Sequence, residues 1–443
     1  MDISASVSDR TAAGIAKTVG RLITSGELPA GERLPTVRQL AEALGVSPAT
    51  VSQAWQRLLR AGLVRTDGRR GTVVRTPANL TGPTRYSRLR AEGFAGLLDL
   101  SESWPDPALL PRVESVLEQL SRDQRTSSYF DPPLLPGLEE VLRADWPFPP
   151  AVLALVDGAM DAVDRLLSGL VRPGTRVVVE NPTFPPILDL LELFGAEVVA
   201  LPVDDRGIEP GDLGAALREA DADAVILQPR GQNPTGHSMD EPRAAELAAV
   251  LRDSTALIIE DDHSAGIAVA EPVSLGHHLP ERTVHIRGFS KSHGPDLRMA
   301  AVGGAEGPIM SLLRRRMLGS GWTSRLLQNV LLRLLTGQKS QEQVAAARNE
   351  YAARRSALQR ALTARGVTAH GRDGTNLWVG VRNEQQALVS LALNGVAVAP
   401  GSAFMATRLP GDFLRVACAP LDQHDVDGVA ETIAEAAHAT RRR

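Results

Sequence analysis

Lysine is scarce in this 443-residue chain: Lys17, Lys291 and Lys339 stand against 45 arginines. Where a plain positive charge would serve, the chain uses arginine, so a lysine in a special setting calls for a reason. Lys291 has such a setting. It follows the apolar segment Thr283–Ile286, lies in Gly288-Phe289-Ser290-Lys291-Ser292-His293-Gly294-Pro295, and has Arg298 seven positions on. A guanidinium stays protonated and is a poor nucleophile, whereas a lysine amine condenses with carbonyl compounds. A hydroxyl such as Ser290 and a fixed cation such as Arg298 are what a phosphate on such a compound would want. Taken alone, the Ser-Lys pair reads better as a surface lysine in a Gly/Pro loop, and other segments must decide.

From about residue 96 onward short apolar runs alternate with helical patterns, the signature of an α/β domain with a largely parallel sheet. Val177–Glu180, Ala224–Leu227, Ala256–Glu260 and Thr283–Ile286 read as strands. A cluster of special residues follows each: Asn181-Pro182-Thr183-Phe184, Gln232-Asn233-Pro234-Thr235-Gly236, Asp261-Asp262-His263, and the Lys291 stretch. Open α/β sheets bind ligands at the carboxyl ends of their strands, so four such clusters can meet in one cleft. There, pyridoxal 5'-phosphate (PLP) would find Asp261 for its pyridine nitrogen, Asn233 for its ring oxygen and Phe184 to stack on. Ser290 and Arg298 would take its phosphate. Gly158 and Ala159, after the apolar run Val152–Val156, open a helix whose N-terminal amides also suit a phosphate.

The first seventy-six residues are different. They carry 11 Lys+Arg against 6 Asp+Glu, a net of +5, while the whole chain is −4. A basic head on an acidic body points to a polyanion that meets only the head. Helical spacing over residues 10–25 ends at Gly26. Thr36 and Gln39 form a capping box for a short helix that stops at Gly45, and Ser47-Pro48 opens a third helix. Val51, Trp55, Leu58 and Leu59 share that helix's apolar face. Two short helices joined by Gly45-Val46 describe a helix-turn-helix. Leu63–Arg65 and Thr72–Arg75, flanking a turn with Arg69, Arg70 and Gly71, read as a basic-tipped wing. Residues 77–96, rich in Pro, Gly and Arg, read as a linker, partly helical near Tyr86. The expected division is therefore 1–76, 77–96 and 97–443.

No apolar run approaches the ~20 residues of a bilayer span, and the N-terminus lacks a signal-peptide pattern. One cysteine, Cys418, excludes intrachain disulfides. A cytoplasmic protein without membrane contact is expected, and no metal site is.

The run from Leu28 to Val74 resembles the winged helix-turn-helix head of the GntR regulators. That resemblance implies that Arg38 contacts DNA, that Ser47, Thr50, Ser52 and Gln53 enter the major groove, and that Arg69 and Arg70 touch the minor groove or backbone. Pro48 stands where many members have arginine. Residues 97–440 resemble fold-type I, aspartate-aminotransferase-like PLP proteins. By that resemblance Lys291 forms the internal aldimine, Asp261 pairs with the pyridine nitrogen, and Asn233 of Asn-Pro-Thr-Gly holds the ring oxygen. Arg415 in Phe413-Leu414-Arg415-Val416 binds an α-carboxylate, and Tyr129 reaches the partner subunit's phosphate. A GntR-like head on such a body resembles the MocR subfamily of transcription regulators. It implies a head-to-tail homodimer on a double-stranded operator, with PLP or an amine or amino-acid effector altering DNA binding. An active aminotransferase carrying an autoregulatory head is the alternative. Four residues depart from the subfamily's pattern. His263 replaces a tyrosine that contacts the ring oxygen, and Ala159-Met160 lack the usual polar side chains. Asp157 stands where serine is usual, and its charge would repel a phosphate unless it points away or is neutralised.

Overall fold

The computed structural model describes residues 3–60, 63–66, 71–74, 84–89, 98–120, 128–172, 174–421 and 425–439. In the head, α1 (Ala12–Thr24), α2 (Val37–Leu44) and α3 (Pro48–Arg60) bury one apolar stripe each. Ile15, Val19, Leu22, Leu40, Leu44, Val51, Trp55 and Leu58 form their common core. The capping box at α2 is present, with Thr36 Oγ1 accepting from Gln39 N and Gln39 Oε1 accepting from Thr36 N. Gly45 closes α2 at φ 67, a left-handed position that favours glycine. The wing strands β1 (Val64–Thr66) and β2 (Thr72–Val74) pair antiparallel, and the preceding turn adds to them through Leu34 N to Thr72 O. The wing tip with Arg69 and Arg70 lies outside the described residues.

The connection contributes one short helix, α4 (Thr84–Leu89). The body then begins with β3 (Leu98–Leu100), α5 (Glu114–Leu120) and α6 (Pro136–Ala144). Its large sheet follows, interleaved with helices: β4 (Val152–Val156), α7 (Ala159–Leu170), β5 (Arg176–Asn181), α8 (Pro185–Phe194), β6 (Glu197–Asp204), β7 (Gly207–Ile208), α9 (Pro210–Ala220), β8 (Ala224–Leu227), α10 (Glu241–Leu251), β9 (Leu257–Asp262), β10 (Thr283–Gly288) and β11 (Ala300–Gly304). Helices α11 (Glu306–Met317), α12 (Arg325–Thr336) and the long α13 (Gln338–Ala364) lead to a second sheet. That sheet comprises β12 (Ala369–His370), β13 (Asn376–Val381), β14 (Val396–Pro400) and β15 (Asp412–Ala417), with helices α14 (Glu384–Leu393) and α15 (Val426–Ala437).

Eight strands are ordered β4-β11-β10-β9-β8-β5-β6-β7. Strands β10, β9, β8, β5 and β6 run parallel, and β11 is antiparallel to both its neighbours. The carboxyl ends of β4, β5, β8, β9 and β10 therefore share one edge. The sheet is covered on both faces, by a core around Val163, Leu167, Val179 and Ile226 and by another around Val178, Val225, Leu247 and Ile258. Such two-sided burial explains why these strands read as unbroken apolar runs. The five-stranded sheet, ordered β12-β13-β15-β14-β3, places β15 and its Arg415 in the middle rather than at an edge.

Two contacts tie head and connection to the body. Helix α1 crosses α14 at Gly20, where a Cβ would lie 2.9 Å from Val389 Cγ1. Helix α4 sits on α8, where the Asp189 carboxylate accepts from Arg85 N (3.2 Å) and Tyr86 N (2.9 Å). Among the described residues no helix is long and apolar enough to cross a membrane.

Candidate cofactor site

Strand alternation sends the two carboxylates at the end of β9 to opposite sides. Asp262 pairs with Arg230 and with His285, and although burial alone would raise its pKa, the Arg230 charge and the His285 contact hold it well below the usual range. Asp261 has no cation of its own. Its Oδ2 accepts from Gln228 Nε2 at 2.7 Å, and its Oδ1 is buried without a partner. Burial pushes its pKa up to about 6, opposed by the Gln228 bond and the Lys291 charge. Gln228 also accepts from Asn233 N at 2.9 Å, tying the Asn-Pro-Thr-Gly turn to Asp261. The side-chain Oδ1 of Asn233 is likewise buried and unpaired, and turning that amide over would present its N–H donors instead.

Lys291 follows β10 with its Nζ 2.8 Å from His263 Nδ1. Burial first, then the charge of Arg415, lowers its pKa to about 8. His263 Nε2 is a third buried polar atom without a partner. Arg415 is 2% exposed and donates to Ser103 Oγ, Asn376 Oδ1 and Ser101 O, while its Nε stays unpaired. Burial lowers its pKa to about 10. The guanidinium lies 5.3 Å over the Phe404 ring. Among the described residues no carboxylate ion-pairs with it, Glu102 and Asp99 acting only through their charge, and a cation buried in this way suits a carboxylate that arrives with a ligand.

At the other end, Gly158 caps α7 at φ 110, and the Arg298 guanidinium lies across it, 3.4 Å from where a Cβ would be. Arg298, Gly158 and Ala159 are thus brought together. Asp157 does not stand as a bare charge there. Its Oδ1 accepts from Arg316 Nη2 (2.8 Å) and Thr323 Oγ1 (2.9 Å), and Arg316 is fully buried. Ser290 and Phe184 are half-buried, Phe184 packing on the core beneath α8. Tyr129 stays apart: it is 86% exposed, its ring centroid 5.8 Å from that of Trp322 in an edge-to-face arrangement.

In the head, Arg38, Ser47, Ser52 and Gln53 are exposed. Ser47 and Thr50 spend their hydroxyls on each other (2.8 Å), with Ser47 Oγ also accepting from Thr50 N. They cap the helix.

Residues 11–74 match the family of bacterial regulatory proteins, gntR family, and residues 95–433 match aminotransferase class I and II. The vitamin B6 salvage pathway transcriptional repressor PtsJ of Salmonella typhimurium is 35% identical over 97% of this chain and 99% of its own. The chain belongs to the MocR group of GntR-type regulators. It is a DNA-binding transcriptional regulator with an aminotransferase-like body. The HTH-type transcriptional regulator TauR of Rhodobacter capsulatus is 28% identical over 95% of this chain and 94% of its own. PdxR of Corynebacterium glutamicum, a pyridoxine biosynthesis regulator, is 26% identical over 64% and 63%. Among solved structures, kynurenine aminotransferase of Pyrococcus horikoshii superposes with TM-score 0.72 at 22% identity, over 77% of this chain and 91% of that one. That likeness shows the fold.

Pyridoxal 5'-phosphate is the cofactor this regulator's body fits. Asp261, Asn233 and His263, in the segments that follow β8 and end β9, each keep a buried polar atom without a partner, and a helix N-terminus with an arginine stands at the end of β4. Sequence reasoning missed the residues that hold these groups. Gln228 was findable, as the first polar residue after an apolar run. Arg316 and Asn376 carry no local signal: one sits in a triple-arginine run, the other begins a strand.

Proposed function

We propose that this regulator binds PLP covalently through Lys291 and changes its hold on a double-stranded DNA operator when PLP, or an amine or amino acid that reacts with it, occupies the body. The observation that carries this is Lys291, whose amine has a lowered pKa and lies 2.8 Å from His263 in a fold whose Asp261, Asn233 and His263 each keep a buried polar atom unpaired. Bound there, the cofactor supplies a carbonyl equivalent that exchanges with primary amines. The residues of the chain do the rest. Asp261 would hold a proton on the pyridine nitrogen, and Asn233 and His263 would face the ring oxygen. Phe184 would stack on the ring, while Ser290, Arg298 and the amides of Gly158 and Ala159 take the phosphate. Arg415 would take the carboxylate of an amino-acid effector, and Arg38, Ser52 and Gln53 would face DNA with the wing arginines. PtsJ and PdxR are both named for vitamin B6 metabolism, which supports PLP itself as a signal.

The same reading includes a cytoplasmic homodimer, divided as 1–76, 77–96 and 97–443. The exposed apolar group Tyr129, Phe130 (98%) and Leu318 (91%) supports a second copy covering this face, with Tyr129 reaching the partner's phosphate. A sensor needs only differential affinity for two states, whereas a transaminase needs its cup and base in full order. The hydroxyl-free Ala159 and Met160 favour the sensor. The test is an absorbance spectrum with added PLP, then borohydride and mass mapping. A band near 420 nm trapped on Lys291 and lost in Lys291→Ala is the expected result; an unchanged band in that variant refutes it. Turnover of an amino acid with a keto acid at ordinary enzyme rates would favour the aminotransferase alternative.

A further inference from the structure

We propose that His263 is the proton acceptor for Lys291, so that the amine is freed within the site and the capture of an aldehyde is governed by this imidazole. The inference rests on the reading of Lys291 as the covalent attachment point and adds a role for its neighbour.

The geometry is specific. Lys291 Nζ and His263 Nδ1 lie 2.8 Å apart, a full hydrogen bond. An ammonium has donors only, so the imidazole nitrogen facing it must accept, which places the tautomeric proton on Nε2. That Nε2 is buried and without a partner. Nδ1 is also 3.2 Å from Ser264 Oγ, which accepts or donates according to where the proton sits. The hydroxyl thus steadies the ring without adding a charge. The groups that bear on His263 are Lys291 in the facing loop, Asp262 just before it at the end of β9, and the Gly231 backbone; Arg415 from the other sheet and Asp261 act on Lys291. Burial and the Lys291 charge hold the imidazole neutral, well below its ordinary range. Lys291 is thus the stronger base of the two and keeps its proton at rest, and the imidazole takes it only as the aldehyde is captured. A tyrosine, which the resemblance expects here, could hydrogen-bond the same amine but could not take a proton from it near neutral pH.

The step balances without another reactant besides an aromatic aldehyde such as PLP. One ammonium proton passes to Nδ1, and the freed lone pair attacks the aldehyde carbon. A second nitrogen proton moves to the carbonyl oxygen. That oxygen leaves as water with the proton returned by His263, and a protonated C=N bond remains.

The experiment uses the full-length protein and two readouts. Competitive labelling of Lys291 by acetic anhydride across pH, read by mass spectrometry, reports the amine without any cofactor. The rate of absorbance growth with PLP, confirmed by borohydride trapping, reports capture. His263→Asn keeps a hydrogen-bonding group but no base, and His263→Ala leaves room for added imidazole. We expect both variants to capture PLP at least about 100-fold more slowly at pH 7, the low end for a lost general base. Imidazole should restore His263→Ala, and the labelling profile of Lys291 should move in both variants. Wild-type rates in His263→Asn would overturn the proposal. So would slowing that imidazole does not relieve with an unmoved labelling profile, because that is a purely structural effect. Failure of wild-type Lys291 to trap PLP would remove the parent reading as well, and is distinguished because it is read in the wild-type protein alone.

Discussion

Replacing Arg415 by methionine separates a residue kept for a ligand from one kept for the fold. Burial lowers the guanidinium from 12.5 to about 10. That shift corresponds to roughly 3 kcal/mol of disfavoured charge burial in the ligand-free protein. Since the folded value lies below the unfolded one, the penalty is present at every pH under about 10 and is relieved only as pH rises through that value. Arg415→Met removes it. The substitution also strips Ser103 Oγ, Asn376 Oδ1 and Ser101 O of their donor, at about 1 kcal/mol each. The two sums nearly cancel, so urea unfolding of the cofactor-free variant at pH 7 should fall within about 1 kcal/mol of wild type. Truncating an ordinary buried side chain of this size costs roughly 2–5 kcal/mol. Recognition should not survive. Losing a charge-assisted pair weakens the response to an amino acid by about 10- to 100-fold, while the matching amine without a carboxylate is unaffected. Spectral titration of the PLP-loaded protein with the two amines reads this. A stability loss above about 2 kcal/mol, or equal loss of response to both amines, would refute the assignment.

Asp261→Asn should raise cofactor-free stability at pH 7–8 by up to about 3 kcal/mol, since a carboxyl raised to about 6 carries its burial penalty above that pH and sheds it below. The same variant should lose PLP retention, as measured by the 420 nm band after gel filtration. Asp157→Asn should tighten PLP binding several-fold, because it removes a negative charge that Arg316 already balances and frees that cation for the phosphate; unchanged affinity by equilibrium dialysis would show the pair to be independent of the cup. Arg38→Ala should weaken operator binding uniformly across sequences and reduce the salt slope by about 1, measured by fluorescence anisotropy at several salt concentrations.

Much of this was legible from local chemistry. The Thr36/Gln39 capping box, the Gly45 stop and the Ser47-Pro48 start fixed the head's helices to within a residue or two, because such signals act over one turn. The strand ends were equally clear, as burial on both faces leaves sharp apolar runs that stop where the cleft begins. What could not be read is what long-range packing decides. Arg415 looks like an alternating edge-strand residue in its own segment and becomes central only when β15 inserts between β13 and β14. Asp157 looks like an obstacle to a phosphate until Arg316, 159 positions later, comes to hold it. The bond between Ser47 and Thr50, which ties the start of α3, likewise has no signal beyond a common Ser-x-x-Thr spacing.

The scarcity of lysine has a consequence for signal quality. Aldehydes condense reversibly with any unprotonated amine, so a protein of this size with dozens of lysines would soak up its own messenger at irrelevant places. Here Lys17 on α1 and Lys339 on α13 are exposed. Burial and the charge of Arg415 bring Lys291 to about 8, so about one in ten of its amines is unprotonated at pH 7. Writing the surface in arginine leaves the background almost silent, so occupancy at one position tracks the free aldehyde concentration with little depletion.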